Sequence, residues 1–294
     1  MDSAHLGRAF HGGEHYENFP VGSWLVPKPM RGPVLALYRF ARTGDDIADE
    51  GAAPRHERHH GLGMLRAGLE SPPQPGLPGE PNPKPPLPPN DARLWRIGQS
   101  LGAALNERAL SASPAHDLLD AFAQDVDHTP MQSEHDVLDY CARSANPVGR
   151  LVLGFAGLPD DPSKHQEMLQ ASDAICTGLQ LANFAQDMGQ DQARGRHYAP
   201  HAWRSEAQDP DDLVSRMAQW ARYHLNAGVA LPALIRKSSV VGRWRLAMEI
   251  ALTIEGGLEV SRRVLADPTR VWHASPRISS VLLPVLLLRA FKRI

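Results

Sequence analysis

Apolar residues recur along this chain at three- and four-residue spacings, the period of a helix packed on one side. From about Pro33 to Glu50 the positions Val34, Leu35, Leu37, Tyr38, Ala41 and Ile47 trace such a face, and Pro33 sits where a first helical turn tolerates proline. The same period predicts helices near residues 91–110, 114–127, 134–157, 163–191, 211–236, 243–265 and 276–292. Pro147 and Pro232 fall inside two of these and predict kinks or breaks, because proline removes a helix hydrogen bond and clashes with the preceding turn. Strand-like alternation is sparse. The pattern predicts an all-α bundle.

Residues 72–89 interrupt that pattern with ten prolines, which excludes helix and predicts polyproline II or disorder. Pro75 to Pro78 and Pro83 to Pro86 match P-x-x-P, a spacing that suits partner docking. A surface loop at about 71–90 between two helices is the simpler expectation. Acidic clusters on either side of it need each other, so the loop is not a boundary and residues 1–294 are expected to form a single domain.

Composition narrows the class. The chain has 294 residues, 42% hydrophobic and 22% charged, enough to bury a sizeable core. Its net charge of −2 lacks the basic excess that nucleic-acid binding requires. Cys141 and Cys176 are the only cysteines and read as helix-packing residues in a reducing cytosol. No basic-then-apolar leader opens the chain, and no stretch reaches the roughly 18–20 apolar residues that span a bilayer. A cytoplasmic protein is expected. The apolar run Val281 to Leu288, ending in Arg289, Lys292 and Arg293, has two readings. It is either a last core helix whose basic end suits its dipole, or a peripheral contact with anionic lipid at the inner membrane.

The candidate chemistry sits in two acidic clusters, Asp45-Asp46-Ile47-Ala48-Asp49-Glu50 and Asp187-Met188-Gly189-Gln190-Asp191. At 100° per residue, Tyr38, Arg42, Asp45, Asp46 and Asp49 share one helix face, while Gln180, Asn183, Asp187 and Asp191 share another. Carboxylates on otherwise apolar helices must be paired with cations or become protonated. Hard oxygen donors favour Mg²⁺, with Mn²⁺ the alternative, held by a few carboxylates plus phosphate oxygens. Metals so placed act as Lewis acids on a departing diphosphate. Arg42, one turn before the first cluster, suits a charge-assisted contact to the same phosphates.

One competing motif is His56-Glu57-Arg58-His59-His60, a literal H-E-x-x-H. Its flanks, rich in glycine, alanine and proline, lack the apolar helix that would bury a zinc site, so a solvated polar helix start is expected. No G-x-G-x-x-G, P-loop or G-x-S-x-G signature occurs, which leaves no nicotinamide, nucleotide-phosphate or hydrolase motif.

The run Tyr38-Arg39-Phe40-Ala41-Arg42-Thr43-Gly44-Asp45-Asp46-Ile47-Ala48-Asp49-Glu50, then Leu179 to Asp191, then Arg194-Gly195-Arg196-His197-Tyr198-Ala199-Pro200, resembles the squalene/phytoene synthase family. The resemblance implies an all-α isoprenoid-synthase fold with a central cavity and Mg²⁺-dependent ionisation of a prenyl diphosphate. Three further segments look like the hydroxysqualene synthase branch of bacterial hopanoid biosynthesis: His15 to Val21, Tyr140 to Arg150, and Asn183-Phe184-Ala185-Gln186-Asp187. Related condensing enzymes usually carry Arg where this chain has Gln186, a cation that would help bind a second diphosphate.

The implied reaction is presqualene diphosphate plus water giving hydroxysqualene and pyrophosphate, without NADPH. On this resemblance Asp45, Asp46, Asp49, Asp187 and Asp191 bind metal, with Asn183 joining them and Glu50 auxiliary. Arg42 and Arg196 bind diphosphate. Tyr38, Gln180 and Asn183 line the ionisation end, and Tyr16, Asn18 and Tyr198 contact substrate, with Glu17 beside the first two. Other hopanoid-pathway enzymes are the expected partners. Two readings stay open beside this one: a condensing enzyme making presqualene diphosphate or phytoene, and a catalytically silent helical partner.

Overall fold

A computed structural model describes residues 25–49, 53–71, 87–158, 161–240 and 242–294. All regular structure among them is helical. In chain order the helices are α1 (Arg31–Asp49), α2 (Arg55–Leu69), α3 (Pro89–Asn106), α4 (Ser113–Asp127), α5 (Glu134–Ser144) and α6 (Asn146–Phe155). The second half adds α7 (Pro162–Ala193), α8 (His201–Glu206), α9 (Pro210–Ala227), α10 (Leu231–Lys237), α11 (Arg243–Ala266) and α12 (Leu283–Phe291). Short 3₁₀ turns occupy Lys28–Met30, Pro268–Trp272 and Ser280–Leu282. No described helix is long and apolar enough to cross a membrane.

Prolines punctuate these helices where chemistry allows. Pro147 opens α6 and Pro232 opens α10, so both expected interruptions are helix starts. At that position the missing N–H has no intrahelical partner to lose. The single helix expected over 134–157 is accordingly two, α5 and α6, and that over 211–236 is α9 and α10. Side chains cap where prolines do not: Ser133 and Asp136 form a reciprocal box at the start of α5, and Asp209 accepts from the Asp212 N–H at α9.

One expectation needs correction. The helix expected over 276–292 starts only at Leu283, because residues 273–279 run as an irregular strap over the bundle. Around His56 the expected solvated polar helix start is found, with α2 beginning at Arg55 and His56 and Glu57 exposed; beyond it the helix packs, burying Gly61, Leu62, Leu65, Gly68 and Leu69. Two of those five residues are glycine, and at Gly68 the backbone approach requires it. A Cβ on Gly68 would lie 1.9 Å from the Trp95 carbonyl oxygen, and one on Gly98 of α3 would lie 2.0 Å from that of Leu65. Backbone therefore meets backbone where α2 crosses α3. His59 and His60 point outward to Asp127 and Asp91, at 2.9 and 3.0 Å.

The expected proline-rich loop joins α2 to α3, and its residues 72–86 lie outside the described set. The core has two parts. Phe40, Leu65, Leu101, Leu118 and Leu153 anchor the first, around α1–α4 and α6, while Leu181, Met217, Ala221 and Val264 anchor the second, around α7, α9 and α11. Between them α1 and α7 line opposite walls of a cavity.

Candidate active site

The α1 stripe is held by two arginines. Arg42 places Nη2 2.6 Å from Asp46 Oδ1 and Nη1 3.5 Å from Asp45 Oδ2. Asp49 is gripped by the buried Arg196, whose Nη1 lies 2.6 Å from Oδ2 and whose Nη2 donates to the Asp49 carbonyl oxygen at 3.2 Å. Arg196 arrives there through a glycine turn. After α7 ends, Gly195 adopts φ +78°, and the Arg196 N–H folds back onto the Asp191 carbonyl oxygen at 2.8 Å. Left-handed backbone of this kind favours glycine, so the R-G-R sequence is a helix stop that returns an arginine to α1.

A polar cavity of about 270 Å³ separates the helices. Arg42, Asp45 and Asp49 line it from α1, and Gln180, Asn183, Asp187 and Asp191 from α7, with Tyr198 beyond the glycine turn. Three candidates stand outside its walls: Asp46 and Arg196, which hold Arg42 and Asp49, and the half-buried Tyr38. Tyr16, Glu17, Asn18 and Glu50 lie outside the described residues.

The strap closes another side. Ser275 donates its hydroxyl to Asp187 Oδ1, Gln190 donates to Ser275 Oγ at 2.8 Å, and the buried Gln186 donates to the Pro276 carbonyl oxygen at 2.9 Å. Arg277 and Arg194 complete the lining. Close approach is possible because α7 carries Gly189, where a Cβ would sit 2.6 Å from the Val271 carbonyl oxygen.

The sequence reading missed Asp125 of α4. It is buried at the cavity wall, accepting the Tyr140 hydroxyl at 2.7 Å and the Tyr198 hydroxyl at 3.2 Å. Phe184 stacks on Tyr198 with ring centroids 4.3 Å apart and makes a tilted contact with Tyr140. Serine and arginine of the strap were missed as well. Nothing at their own positions signals the site, since only the fold brings residues 275–277 onto α7.

Crowded carboxylates shape the electrostatics. Burial, then the neighbouring Asp49, pushes Asp45 up to about 7 against the pull of Arg42. Asp191 rises to about 7 through burial and Asp187, and Asp125 reaches about 7 by burial despite two tyrosine hydrogen bonds that favour its ionised form. Burial leads each shift, and the arginines beside Asp45 and Asp191 offset only part of it. Among the described residues no three acidic, histidine or cysteine side chains form a ready-made metal site. Paired carboxylates on two helices instead fit cations that complete their shells with phosphate oxygens and water.

An apolar chamber of about 190 Å³ adjoins the polar one, and Gln180 and Asn183 line both. Its walls include Val148, Val152, Ile175, Leu179, Leu231 and Ile250. Neither space alone reaches the roughly 300–1,000 Å³ of typical small-molecule sites, and together they do. Cys176 lines the chamber, and burial pushes its thiol up to about 12, as it does that of Cys141. Neither thiol is therefore an activated nucleophile.

Known proteins resemble this chain in sequence and fold. The sequence signature of squalene/phytoene synthase matches residues 13–279. A hydroxysqualene synthase of Sinorhizobium fredii is 35% identical over 277 residues, covering 88% of this chain and 84% of its own length. A phytoene synthase of Cereibacter sphaeroides is 29% identical over 189 residues, 64% of this chain and 49% of its own. The crystal structure of squalene synthase HpnC from Alicyclobacillus acidocaldarius superposes with a TM-score of 0.64 at 28% identity, covering 92% of both chains. With a signature that spans most of its length and a helical fold to match, the chain belongs to the squalene/phytoene synthase family.

Proposed function

We propose that this enzyme is a hydroxysqualene synthase, which ionises presqualene diphosphate and captures the cation with water. One observation carries the reading: a carboxylate-lined polar cavity adjoins an apolar chamber, and Gln180 and Asn183 line both. A diphosphate and a hydrocarbon chain need those two environments side by side. Similarity to hydroxysqualene synthases supports the choice of substrate.

Asp45, Asp49, Asp187 and Asp191, with Asn183 beside them, are the residues that would hold divalent cations, Mg²⁺ suiting the hard oxygen donors best. When bound, the metal supplies Lewis-acid stabilisation of the departing diphosphate. Arg42 and Arg277 add charge-assisted hydrogen bonds to its oxygens. Asp46 orients Arg42, and Arg196 fixes Asp49, so both act by positioning. The carbon–oxygen bond to diphosphate breaks with its electron pair leaving on oxygen. The cyclopropane ring opens, water adds to the resulting cation, and its proton passes to pyrophosphate or to the Asp125 carboxylate. The apolar chamber shelters the cation from bulk water, and Tyr140, Phe184 and Tyr198 line the adjoining polar cavity.

A second reading has its own support. Arg42, Arg194 and Arg277 all line the polar cavity, enough cationic groups for more than one diphosphate even though Gln186 is neutral. That would suit head-to-head condensation of two prenyl diphosphates. Incubating the protein with Mg²⁺ and either farnesyl or presqualene diphosphate, and identifying products by mass, separates the two. Hydroxysqualene formed from presqualene diphosphate alone is expected, whereas presqualene diphosphate or phytoene from simpler prenyl diphosphates would establish condensation instead. Asp45→Ala and Asp187→Ala should each abolish turnover with helicity unchanged, and near-normal activity in either would remove the metal-site argument.

A further inference from the structure

Six of the nine exposed large apolar side chains among the described residues fall within eleven positions: Val281, Leu283, Val285, Leu287, Leu288 and Phe291. Scattered exposed apolar residues need no explanation, but a contiguous apolar surface on one element does. Helix α12 buries only Leu286 and Ala290 against the bundle. At 100° per residue those two face one way, while Leu288 and Phe291 face the other, 61% and 64% exposed. The helix is therefore apolar on its outer side as well as its inner.

Its orientation is fixed. Two buried carboxylates of α11 clamp the basic end of α12: Arg293 Nε lies 2.5 Å from Glu255 Oε1, and Arg289 Nη1 lies 3.7 Å from Glu259 Oε2. Arg262 and Arg263 share Glu259 at 2.6 and 3.0 Å. Rolling the outer face inward would break the Arg293–Glu255 pair and leave that carboxylate buried without it, a costly change. The outer face is held outward rather than left there by slack packing.

Charge identifies what covers it. Residues 268–294 contain five Arg or Lys and no Asp or Glu, in a chain whose net charge is −2. Arg222, Arg262, Arg289 and Lys292 line one groove beside the apolar face, where the only carboxylates are the clamped Glu255 and Glu259. An apolar helix face rimmed by cations matches a bilayer whose surface is anionic: side chains enter the acyl boundary while Lys and Arg reach the phosphates. A protein partner with an apolar groove would not require that uniform sign.

We propose that α12 seats the protein on anionic membranes as an interfacial helix, with Leu288 and Phe291 inserted and Lys292 and Arg262 at the headgroups. This surface lies apart from the polar cavity, and the inference holds whatever the substrate.

Co-sedimentation of the full chain with vesicles tests it. Phosphatidylcholine vesicles containing phosphatidylglycerol should bind the protein roughly tenfold or more strongly than phosphatidylcholine alone, and added salt should weaken that preference. Leu288→Glu with Phe291→Glu should abolish binding at unchanged melting temperature, since neither side chain packs on the bundle. Lys292→Glu should lower the anionic preference about fivefold while sparing residual neutral binding. Failure of the wild-type chain to bind either vesicle would overturn the proposal. So would undiminished binding by the double variant, or a concentration-dependent dimer that the double variant alone disrupts.

Discussion

Asp125 shows most clearly how one residue's environment sets its state. Buried among Tyr140, Tyr198 and the α1 carboxylates, it is raised to about 7 from an ordinary value near 3.8. The folded chain then holds this proton more tightly than the unfolded chain does. Stability linked to it is intact below the unfolded value and is lost as pH rises through about 7. In metal-free protein, Asp125→Asn should therefore gain stability over wild type as pH climbs from acid to neutral, by up to about 4 kcal/mol as an upper bound. Urea midpoints at mildly acidic and mildly alkaline pH check this, and parallel pH profiles for the two proteins would refute it. Sequence alone could not assign the role. Asp125 sits among other carboxylates of α4, such as Asp117, Asp120 and Asp127, and no spacing rule separates the one that turns inward against Tyr140.

Among whole elements, the strap at residues 273–279 and α7 depend on each other through Gly189. Substituting alanine there pushes a Cβ to 2.6 Å from the Val271 carbonyl oxygen and 2.9 Å from the Trp272 Cα, so backbone must move. That motion carries Ser275 away from Asp187 and Arg277 away from the cavity. Gly189→Ala should cost about 1–3 kcal/mol of stability and raise KM more than it lowers kcat. Gly63→Ala, on an exposed turn of α2 with no atom within 4 Å of the new Cβ, is the matched control: it should gain about 0.5–1 kcal/mol from helix propensity and keep wild-type steady-state kinetics.

The same physics explains which elements were legible in advance. Helices α1, α4, α7 and α11 carry apolar side chains at helical period, and Pro147 and Pro232 mark true starts. Helix α2 was obscured because Gly61 and Gly68 contribute burial without hydrophobicity and with poor helix propensity. Both acidic stripes were readable from register, and all of the second lines one cavity with Arg42, Asp45 and Asp49 of the first, while Tyr38 and Asp46 fall outside its walls. Strap residues were not, because long-range packing rather than local pattern delivers them.

For the whole molecule, the consequence is that the proposed diphosphate site spans both halves of the bundle. Asp45 and Asp49 belong to a helix packed on α2, α3 and α4, whereas Asp187 and Asp191 belong to one packed on α9 and α11. In the metal-free protein burial, and then repulsion from neighbouring carboxylates, raises Asp45 and Asp191 to about 7, so both are weaker acids than usual. Divalent cations bridged by pyrophosphate would turn that repulsion into a tie across the cavity. Ligands that bind only the folded state stabilise it by about 2.7 kcal/mol at a hundredfold excess over Kd. For a chain of this size each kcal/mol corresponds to roughly 2–4 °C in melting temperature. Mg²⁺ and pyrophosphate added together should thus raise the melting temperature by several degrees, while either alone does far less, because each completes the other's coordination. Asp45→Ala and Asp187→Ala, on opposite walls, should each erase the joint effect even though their own metal-free stability is equal to or above wild type. A variant that keeps the full shift would place the metal elsewhere, and one wall sufficing without the other would sever the link between the two halves.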